Sequence, residues 1–475
     1  MRCTRAAACC AAVLVAALAA PEPAAAHGLV GRADLPIPEW LFGWAAAIVL
    51  IVSFVGLAVL WPEPKLEGGR DGWRRVVAIP GVAVLEGICG AIGVFLFGVT
   101  VYAGLAGEQT AAANWTPTFI YVIFWLGFAG ASVLFGDVFK LFNPWRAIAR
   151  AVAGLARLAS GGTLPEPLPY PERLGRWPAA VGLASFAWME LASSHPDGPR
   201  NLAIATLVYS ALTFIGMALY GIDRWIERGE AFSVYYNLFS RISIWERRGR
   251  ELGVRKPLSG VVKLEQLPGT VALLAVMIGS VSFDGAAEGR PWIDIAPDMG
   301  NFFQDLGLSP ANGLVVTYTI GLLAAIGIVY GFYWLGVLGA HSVGGGFETR
   351  RLGNEFIHTL VPIAFVYAAA HYFTLLIFQG QGIWYLASDP LGQGDDLFGT
   401  ADRAIDYGVI GANATWYWQV GFVIAGHVCA LMLAHDRALV LYDRPREAVR
   451  SQYWMLGVMV GFTTLALWLL SQANQ

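Results

Sequence analysis

Apolar runs alternate with short charged segments along almost the whole chain. A helix needs about 20 predominantly apolar residues to cross the hydrocarbon core of a bilayer, which is about 30 Å thick. Ten runs approach or exceed that length, and they predict an all-α, polytopic integral membrane bundle of ten transmembrane helices. The predicted spans are residues 40–61, 76–105, 115–135, 178–194, 201–221, 267–283, 311–340, 356–382, 414–434 and 453–472.

The N-terminal residues have the pattern of a secretory signal peptide. Arg2 and Arg5 precede a short apolar stretch at residues 6–20, and the alanines at 24–26 offer a cleavage site. We therefore predict a signal peptide at residues 1–26 and a single membrane domain at residues 27–475.

The composition agrees with a membrane protein and excludes other classes. Charged residues make up 14% of the chain and the mean hydropathy is +0.56, whereas soluble domains carry about 25% charged residues. The net charge of −3 leaves no basic excess, so a nucleic-acid partner is not expected. The predicted partner is the lipid bilayer.

The basic residues predict the orientation of the bundle. With the mature N-terminus outside, the cytoplasmic segments are 62–75, 136–177, 222–266, 341–354 and 435–452, which we call the basic loops. They contain 25 of the 31 Lys and Arg residues. The positive-inside rule therefore places both the mature N-terminus and the C-terminus outside.

Two of the basic loops share a short motif. Residues 136–139 read Gly-Asp-Val-Phe and are followed by Asn143, while residues 229–232 read Gly-Glu-Ala-Phe and are followed by Asn237. A duplicated structural unit and a coincidence in a compositionally biased sequence both remain open.

Ionisable residues inside the predicted spans are the candidate functional residues. They are Glu86, Glu190, His371 and His427. At a rise of about 1.5 Å per residue, their depths from the inner surface run from about 10 Å for His427 to about 22 Å for His371, with Glu86 at about 15 Å. An ionisable side chain at such a depth normally faces a partner or a cavity.

Three interpretations of these four residues remain open. Two carboxylates and two imidazoles suffice to bind a divalent metal with an open position for water. The same groups can relay protons, because histidine titrates near neutral pH. Each can instead satisfy a neighbouring helix as a structural hydrogen-bonding group.

Other histidines extend these hypotheses. The inner ends of the spans carry His341, His358 and His435, so a proton path could run from His435 through His427 to His371. Cleavage after Ala26 would make His27 the first residue, where its amine and imidazole could chelate copper.

Three stretches resemble a bacterial multi-pass membrane family. They are residues 27–42, the Asn-Pro-Trp-Arg sequence at 143–146, and residues 426–439 with the sequence GHVCALMLAHDRAL. Members of that family are commonly labelled fenitrothion hydrolases, which are membrane-associated organophosphate triester hydrolases. The resemblance implies a bacterial plasma-membrane location and hydrolysis of lipophilic phosphotriesters.

The residues and the resemblance together lead to one functional hypothesis and two alternatives. The first is hydrolysis of a lipophilic triester by a water bound to a divalent metal, with catalytic and metal-binding roles drawn from Glu86, Glu190, His371 and His427. The alternatives are a proton- or metal-coupled transporter of a lipophilic small molecule or ion, and a copper-handling membrane subunit that uses His27.

Overall fold

The computed structural model describes residues 39–67, 72–162, 164–343 and 346–473. The predicted signal peptide and His27 lie outside the described residues. The α-helices are α1 (Glu39–Leu60), α2 (Val82–Ala106), α3 (Trp115–Thr118), α4 (Phe128–Phe135), α5 (Phe139–Phe142), α6 (Pro144–Ala159), α7 (Trp177–Leu191), α8 (Pro199–Tyr220), α9 (Ile222–Arg228), α10 (Ala231–Ser240), α11 (Thr270–Ala287), α12 (Arg290–Asp305), α13 (Pro310–Ser342), α14 (Thr349–Phe356), α15 (Leu360–His371), α16 (Phe373–Phe378), α17 (Ile383–Ser388), α18 (Ala412–Leu441), α19 (Pro445–Ser451) and α20 (Tyr453–Ala473). The other elements are a π-helix (Phe119–Gly127), three 3-10 helices (Ala111–Ala113, Ile357–Thr359, Gln379–Gly382) and the strands β1 (Arg74–Ala78), β2 (Trp245–Arg248) and β3 (Glu251–Val254).

Long apolar helices dominate this structure. Within the described residues, eight helical segments are long and apolar enough to cross a membrane, which confirms the predicted all-α, polytopic bundle. Each of the eight lies at a predicted span. The fourth and tenth predicted spans also fold as helices, namely α7 and α20. With 15 residues, α7 rises about 22 Å, less than the thickness of the hydrocarbon core.

Helix α11 packs against α7, α13 and α15, and its residues from Leu273 to Val281 are buried. Because lipid tails are as apolar as leucine, close packing rather than the hydrophobic effect holds such a helix in place. Gly279 permits this packing, since a Cβ there would lie 2.6 Å from the Cα of Ile326 on α13. The tightly packed helix therefore fixes the position of Asp284 in its last turn.

The five basic loops meet at one end of the bundle, which we call the basic end. There Arg437 Nε lies 2.7 Å from Glu67 Oε1, and Arg437 Nη1 donates to Glu355 Oε2 at 3.1 Å. The segments predicted to lie outside meet at the opposite end, where the backbone N–H of Glu108 donates to the carbonyl of Leu391 at 2.7 Å. The basic loops and the segments predicted to lie outside therefore lie at opposite ends of the bundle. We call the second end the outer end.

A three-stranded antiparallel sheet in the order β1-β3-β2 joins two of the basic loops. The second predicted span, 76–105, began too early, because residues 76–78 belong to β1 and α2 starts at Val82. The β-branched pair Val76 and Val77 favours an extended strand that pairs with β3. Glu86 consequently lies in the second turn of α2, only about 6 Å along the helix axis from its first residue, Val82.

Two predicted spans are interrupted. In the third, the π-helix separates α3 from α4. The eighth, predicted at 356–382, divides where α15 ends at His371, with Tyr372 between α15 and α16. Pro362 lies in the first turn of α15, where proline is tolerated, so it does not cause the division.

The two copies of the sequence motif contact each other reciprocally. The Asn143 amide lies 3.4 Å from Glu230 Oε2, and the Asn237 amide donates to Asp137 Oδ2 at 3.0 Å. Each copy therefore supplies an amide to the acid of the other copy. This reciprocity favours a duplicated unit over coincidence.

Candidate functional site

A histidine–carboxylate contact joins two spanning helices near the outer end. His371 is the last residue of α15, and its Nε2 lies 3.0 Å from Oδ2 of Asp284 on α11. The two side chains are 9% and 24% exposed. Since an unpaired ionisable group in hydrocarbon is costly, each residue stabilises the other at this position. If Nε2–H donates to Asp284, Nδ1 keeps a lone pair that can accept a proton.

An aromatic wall shields this pair on one side. The ring of Tyr372 lies 4.7 Å from the ring of His371 and 4.7 Å from that of Trp125. Trp125 belongs to the π-helix, a conformation that is rare and occurs frequently at functional sites. The Tyr372 hydroxyl is buried in this wall and interacts electrostatically with Asp284. The wall therefore combines apolar cover with one buried polar group.

A second carboxylate, Glu190, lies close by near the end of α7. Its Oε2 is buried and has no hydrogen-bond partner among the described residues, and its charge interacts with that of Asp284. A buried, unpaired carboxylate oxygen is unfavourable, and protonation of the carboxylate reduces that penalty. We call Glu190, Asp284 and His371 the outer cluster.

The outer cluster approaches the surface at Glu288. This exposed residue follows the end of α11, four positions after Asp284 and therefore one turn further out. Desolvation raises the pKa of Glu288 and repulsion by Asp284 raises it further, while His371 opposes both effects. Glu288 thus places a titratable group between the outer surface and the buried pair.

An apolar cavity of about 170 Å³ lies behind the aromatic wall. It is formed by α2, the π-helix, α7, α8, α10 and the segment 139–145. Phe186 lines the cavity, and its ring lies 5.3 Å from the ring of Trp125. Phe186 and Trp125 therefore stand between the cavity and the outer cluster.

Comparisons with known proteins do not assign this site. No protein-family model matches the chain. No curated protein and no solved structure matches it either. The chemistry of the outer cluster is therefore the basis for its function.

Glu86, predicted to share a site with His371, lies instead at the basic end. Its carboxylate lies 2.7 Å from Arg247, 3.0 Å from Arg150 and 3.3 Å from Arg146. The Glu86 side chain is 19% exposed. These contacts make Glu86 the centre of an ion-pair network that connects α2 to α6 and β2. The early start assigned to the second span explains why its predicted depth was too large.

His427 also lies apart from the outer cluster. It is buried in α18, and its Nδ1 lies 2.7 Å from the carbonyl of Val423, one turn earlier. This contact is to its own helix and places His427 in the packed core, not in the outer cluster. His435 contacts the carbonyl of Trp61 at 3.0 Å. Because His435, His427 and His371 bond different partners, the predicted proton path is not formed by direct contacts among them.

The four predicted residues do not assemble into a metal site. Across the ranges that the structure describes, no group of three or more His, Cys, Asp or Glu side chains is arranged to hold a metal ion. The outer cluster brings together only Glu190 and His371 of the four. The predicted divalent metal therefore gains no support from this geometry, and the copper hypothesis concerns His27, outside the described residues.

The basic end holds a separate polar cluster, and Asp436 anchors it. The carboxylate of this fully buried residue accepts a hydrogen bond from Trp61 Nε1 at 3.0 Å. It also accepts from the backbone N–H groups of residues 65–67, with Lys65 at 2.6 Å. Asp436 thereby fixes the loop that follows α1.

That loop brings Glu67 into contact with two basic side chains. Its carboxylate lies 2.7 Å from Arg437 and 3.9 Å from His358. Desolvation raises the pKa of Glu67 to about 7, although Arg437 opposes the shift. Glu67 is therefore a titratable group of the basic end within the physiological pH range.

Asp284, the partner of His371, falls outside the predicted sixth span. That span ends at residue 283, immediately before Asp284, whereas α11 continues to Ala287. One available signal was the spacing of Asp284 and Glu288, which places two acids one helical turn apart. The role of Tyr372 depends on the division of a helix, for which the sequence offered no comparable signal.

Proposed function

We propose that this protein is a proton-coupled membrane transporter whose proton-binding site is the outer cluster. One observation carries the proposal: the buried Oε2 of Glu190 has no hydrogen-bond partner among the described residues, and its helix α7 packs against α11, which carries Asp284. A group held in this way gains from binding a proton. Release of that proton leaves a charge that a cargo or a conformational change must compensate.

The charge balance of the outer cluster supports this role. With His371 protonated and both acids ionised, the cluster carries one net negative charge. A proton on Glu190 makes the cluster neutral, which a low-dielectric environment favours. Proton binding therefore alters the electrostatic energy of the site, and a transporter can use that difference to favour one conformation over another.

The division of the eighth span gives a second line of support. Discontinuous helices line the substrate and ion sites of many transporters, because their ends expose polar backbone groups. Here the interruption is a single residue: Tyr372 separates α15 from α16, while its N–H still bonds Ala368 and its carbonyl accepts from Leu376. A change in the charge of His371 or Asp284 would act directly on this junction.

The first test measures proton binding without knowledge of the cargo. Proteoliposomes adsorbed on a solid-supported membrane are exposed to a rapid pH jump, and the transient charge displacement is recorded. We expect a transient for the wild type and its loss in Glu190→Gln and Asp284→Asn. Both substitutions keep the size of the side chain. Glu190→Gln removes the carboxyl group that binds the proton, and Asp284→Asn removes the charge that pairs with His371.

Two exposed acids provide matched controls. Glu172→Gln and Asp305→Asn make the same chemical changes at surface positions and should retain the transient. Size-exclusion profiles and thermal midpoints in detergent verify that every variant is folded. An absent wild-type transient, or an unchanged transient in Glu190→Gln, would contradict the proposal.

The aromatic cavity favours a second candidate, hydrolysis of a lipophilic phosphotriester. A substrate with its apolar part in the cavity would have to extend past the Phe186–Trp125 contact for its phosphorus to lie beside His371. His371 Nδ1 could then accept a proton from water as the water oxygen bonds to phosphorus and the phosphorus–aryloxide bond breaks. Asp284 would orient the imidazole and stabilise its charge.

An assay in detergent separates the two candidates, since no gradient exists there. Release of the phenolate from a chromogenic triester, lost in His371→Gln and retained in His341→Gln, would support hydrolysis. His341 is an exposed histidine whose Nδ1 contacts the carbonyl of Phe347. The absence of product with the wild type would exclude the second candidate and leave the first intact.

A further inference from the structure

The apolar cavity behind the aromatic wall is enclosed largely by aromatic side chains. Phe97, Phe124, Phe186 and Phe232 all contribute to its lining. The rings of Phe124 and Phe232 lie 4.7 Å apart in an edge-on arrangement, and those of Phe186 and Phe232 lie 5.2 Å apart. Packed rings of this kind present both edges and faces to a ligand.

The mouth of the cavity lies between α7 and α8. Ser185 on α7 is both exposed and part of the lining. Val181 and Val208, on the same two helices, are 62% and 56% exposed. Helix α8 is long and apolar enough to cross a membrane, and apolar side chains exposed on such a helix face lipid rather than water. The mouth therefore opens towards the bilayer.

Hydroxyl groups in the lining are engaged within the protein. The Thr100 hydroxyl donates to the carbonyl of Leu96 at 2.8 Å, and the Ser185 hydroxyl donates to the carbonyl of Val181 at 2.9 Å. The Tyr209 hydroxyl donates to Glu230. A polar ligand would have to displace these bonds, whereas an apolar ligand leaves them intact.

The size of the cavity limits the ligand further. An engineered protein cavity of about 150 Å³ lined by Leu, Ile and Phe stays dry and binds benzene. The present cavity, of about 170 Å³, has room for one substituted aromatic ring. We propose that it binds the aromatic ring of a small lipophilic molecule that enters from the bilayer between α7 and α8. This inference stands on the cavity alone and is independent of proton binding at the outer cluster.

The test uses a phenyl diazirine that carries iodine and partitions into lipid. The full chain in lipid nanodiscs is irradiated with this reagent, and the modified residues are identified by mass spectrometry. We expect adducts at Phe232, which is 5% exposed, in addition to adducts at lipid-facing positions such as Val208. Excess ethylbenzene, a non-photoreactive ring of similar size, should abolish only the Phe232 adduct.

A variant at the mouth tests the entry route. Ser185→Trp should reduce the Phe232 adduct to background, because the indole obstructs the mouth. Val181→Trp is the matched control, since it adds the same side chain one turn away, outside the lining, and should leave the adduct unchanged. Labelling confined to lipid-facing residues, no competition by ethylbenzene, or an unchanged adduct in Ser185→Trp would each overturn the proposal. Each result would leave the proton-binding test unaffected.

Discussion

Glu67 at the basic end should make the stability of the folded protein depend on pH. Desolvation raises its pKa from 4.5 to about 7 in the folded state. Since one pKa unit is worth about 1.4 kcal/mol, this difference corresponds to about 3 kcal/mol in favour of the neutral acid. Although the side chain is only 10% exposed, nearby solvent screens part of this effect, and about 3 kcal/mol is therefore an upper limit.

The direction of the pH dependence follows from the sign of the shift. Because the folded-state pKa of Glu67 lies above the unfolded value, its contribution is fully present below about pH 4.5 and is lost as the pH rises through about 7. Between pH 5 and pH 8 the wild type should therefore lose up to about 3 kcal/mol of stability from this residue. Glu67→Gln keeps a neutral side chain throughout and should lack this loss.

The assay is thermal unfolding of purified protein, followed by tryptophan fluorescence across that pH range. We expect the thermal midpoint of Glu67→Gln to exceed that of the wild type by an amount that grows with pH. Glu348→Gln, at an exposed position, is the matched control and should follow the wild type. A constant difference between Glu67→Gln and the wild type at all pH values would refute the reasoning.

Three further substitutions test the packing and the polar contacts, each by thermal unfolding in detergent. Gly93→Ala should destabilise the fold, because its Cβ would lie 1.9 Å from the carbonyl oxygen of Phe142, while Gly98→Ala, with open space around it, should not. Asp436→Asn should lower the free energy of unfolding by about 2–4 kcal/mol, because an amide cannot accept hydrogen bonds from all the N–H groups that bond the carboxylate. An unchanged thermal midpoint would contradict the anchoring role of Asp436. Glu86→Gln should also lower the midpoint, and the difference should shrink at high salt because arginines surround a partly exposed carboxylate.

The architecture of the bundle could be predicted because lipid imposes a simple rule. Backbone groups in hydrocarbon must bond internally, so long apolar runs form helices and basic residues collect in loops. The predicted bounds of a span were wrong where an apolar segment lies outside the membrane-spanning helices. Residues 76–78 are apolar, yet they leave the helix to pair with β3, an interaction with a segment far away in the sequence.

The candidate site could be predicted only in part. His371 and Glu190 were recognised because an ionisable residue among apolar ones is conspicuous. Asp284 was missed because a polar residue near the end of a run can belong either to the helix or to the following loop. Glu86 and His427 satisfied the same depth criterion. However, Glu86 pairs with arginines from distant segments, and His427 contacts a carbonyl of its own helix.

The central claim is that the outer cluster binds a proton at Glu190. Infrared difference spectroscopy of the reconstituted protein between acidic and alkaline pH measures this directly, since a protonated carboxylic acid has its own C=O stretching band. Because Glu67 and other carboxyl groups add to this band, we compare its intensity between proteins. The band at mildly acidic pH should be weaker in Glu190→Gln than in the wild type, and the surface control Glu172→Gln should match the wild type. A band of the same intensity in Glu190→Gln would show that the proton resides elsewhere and would contradict the account.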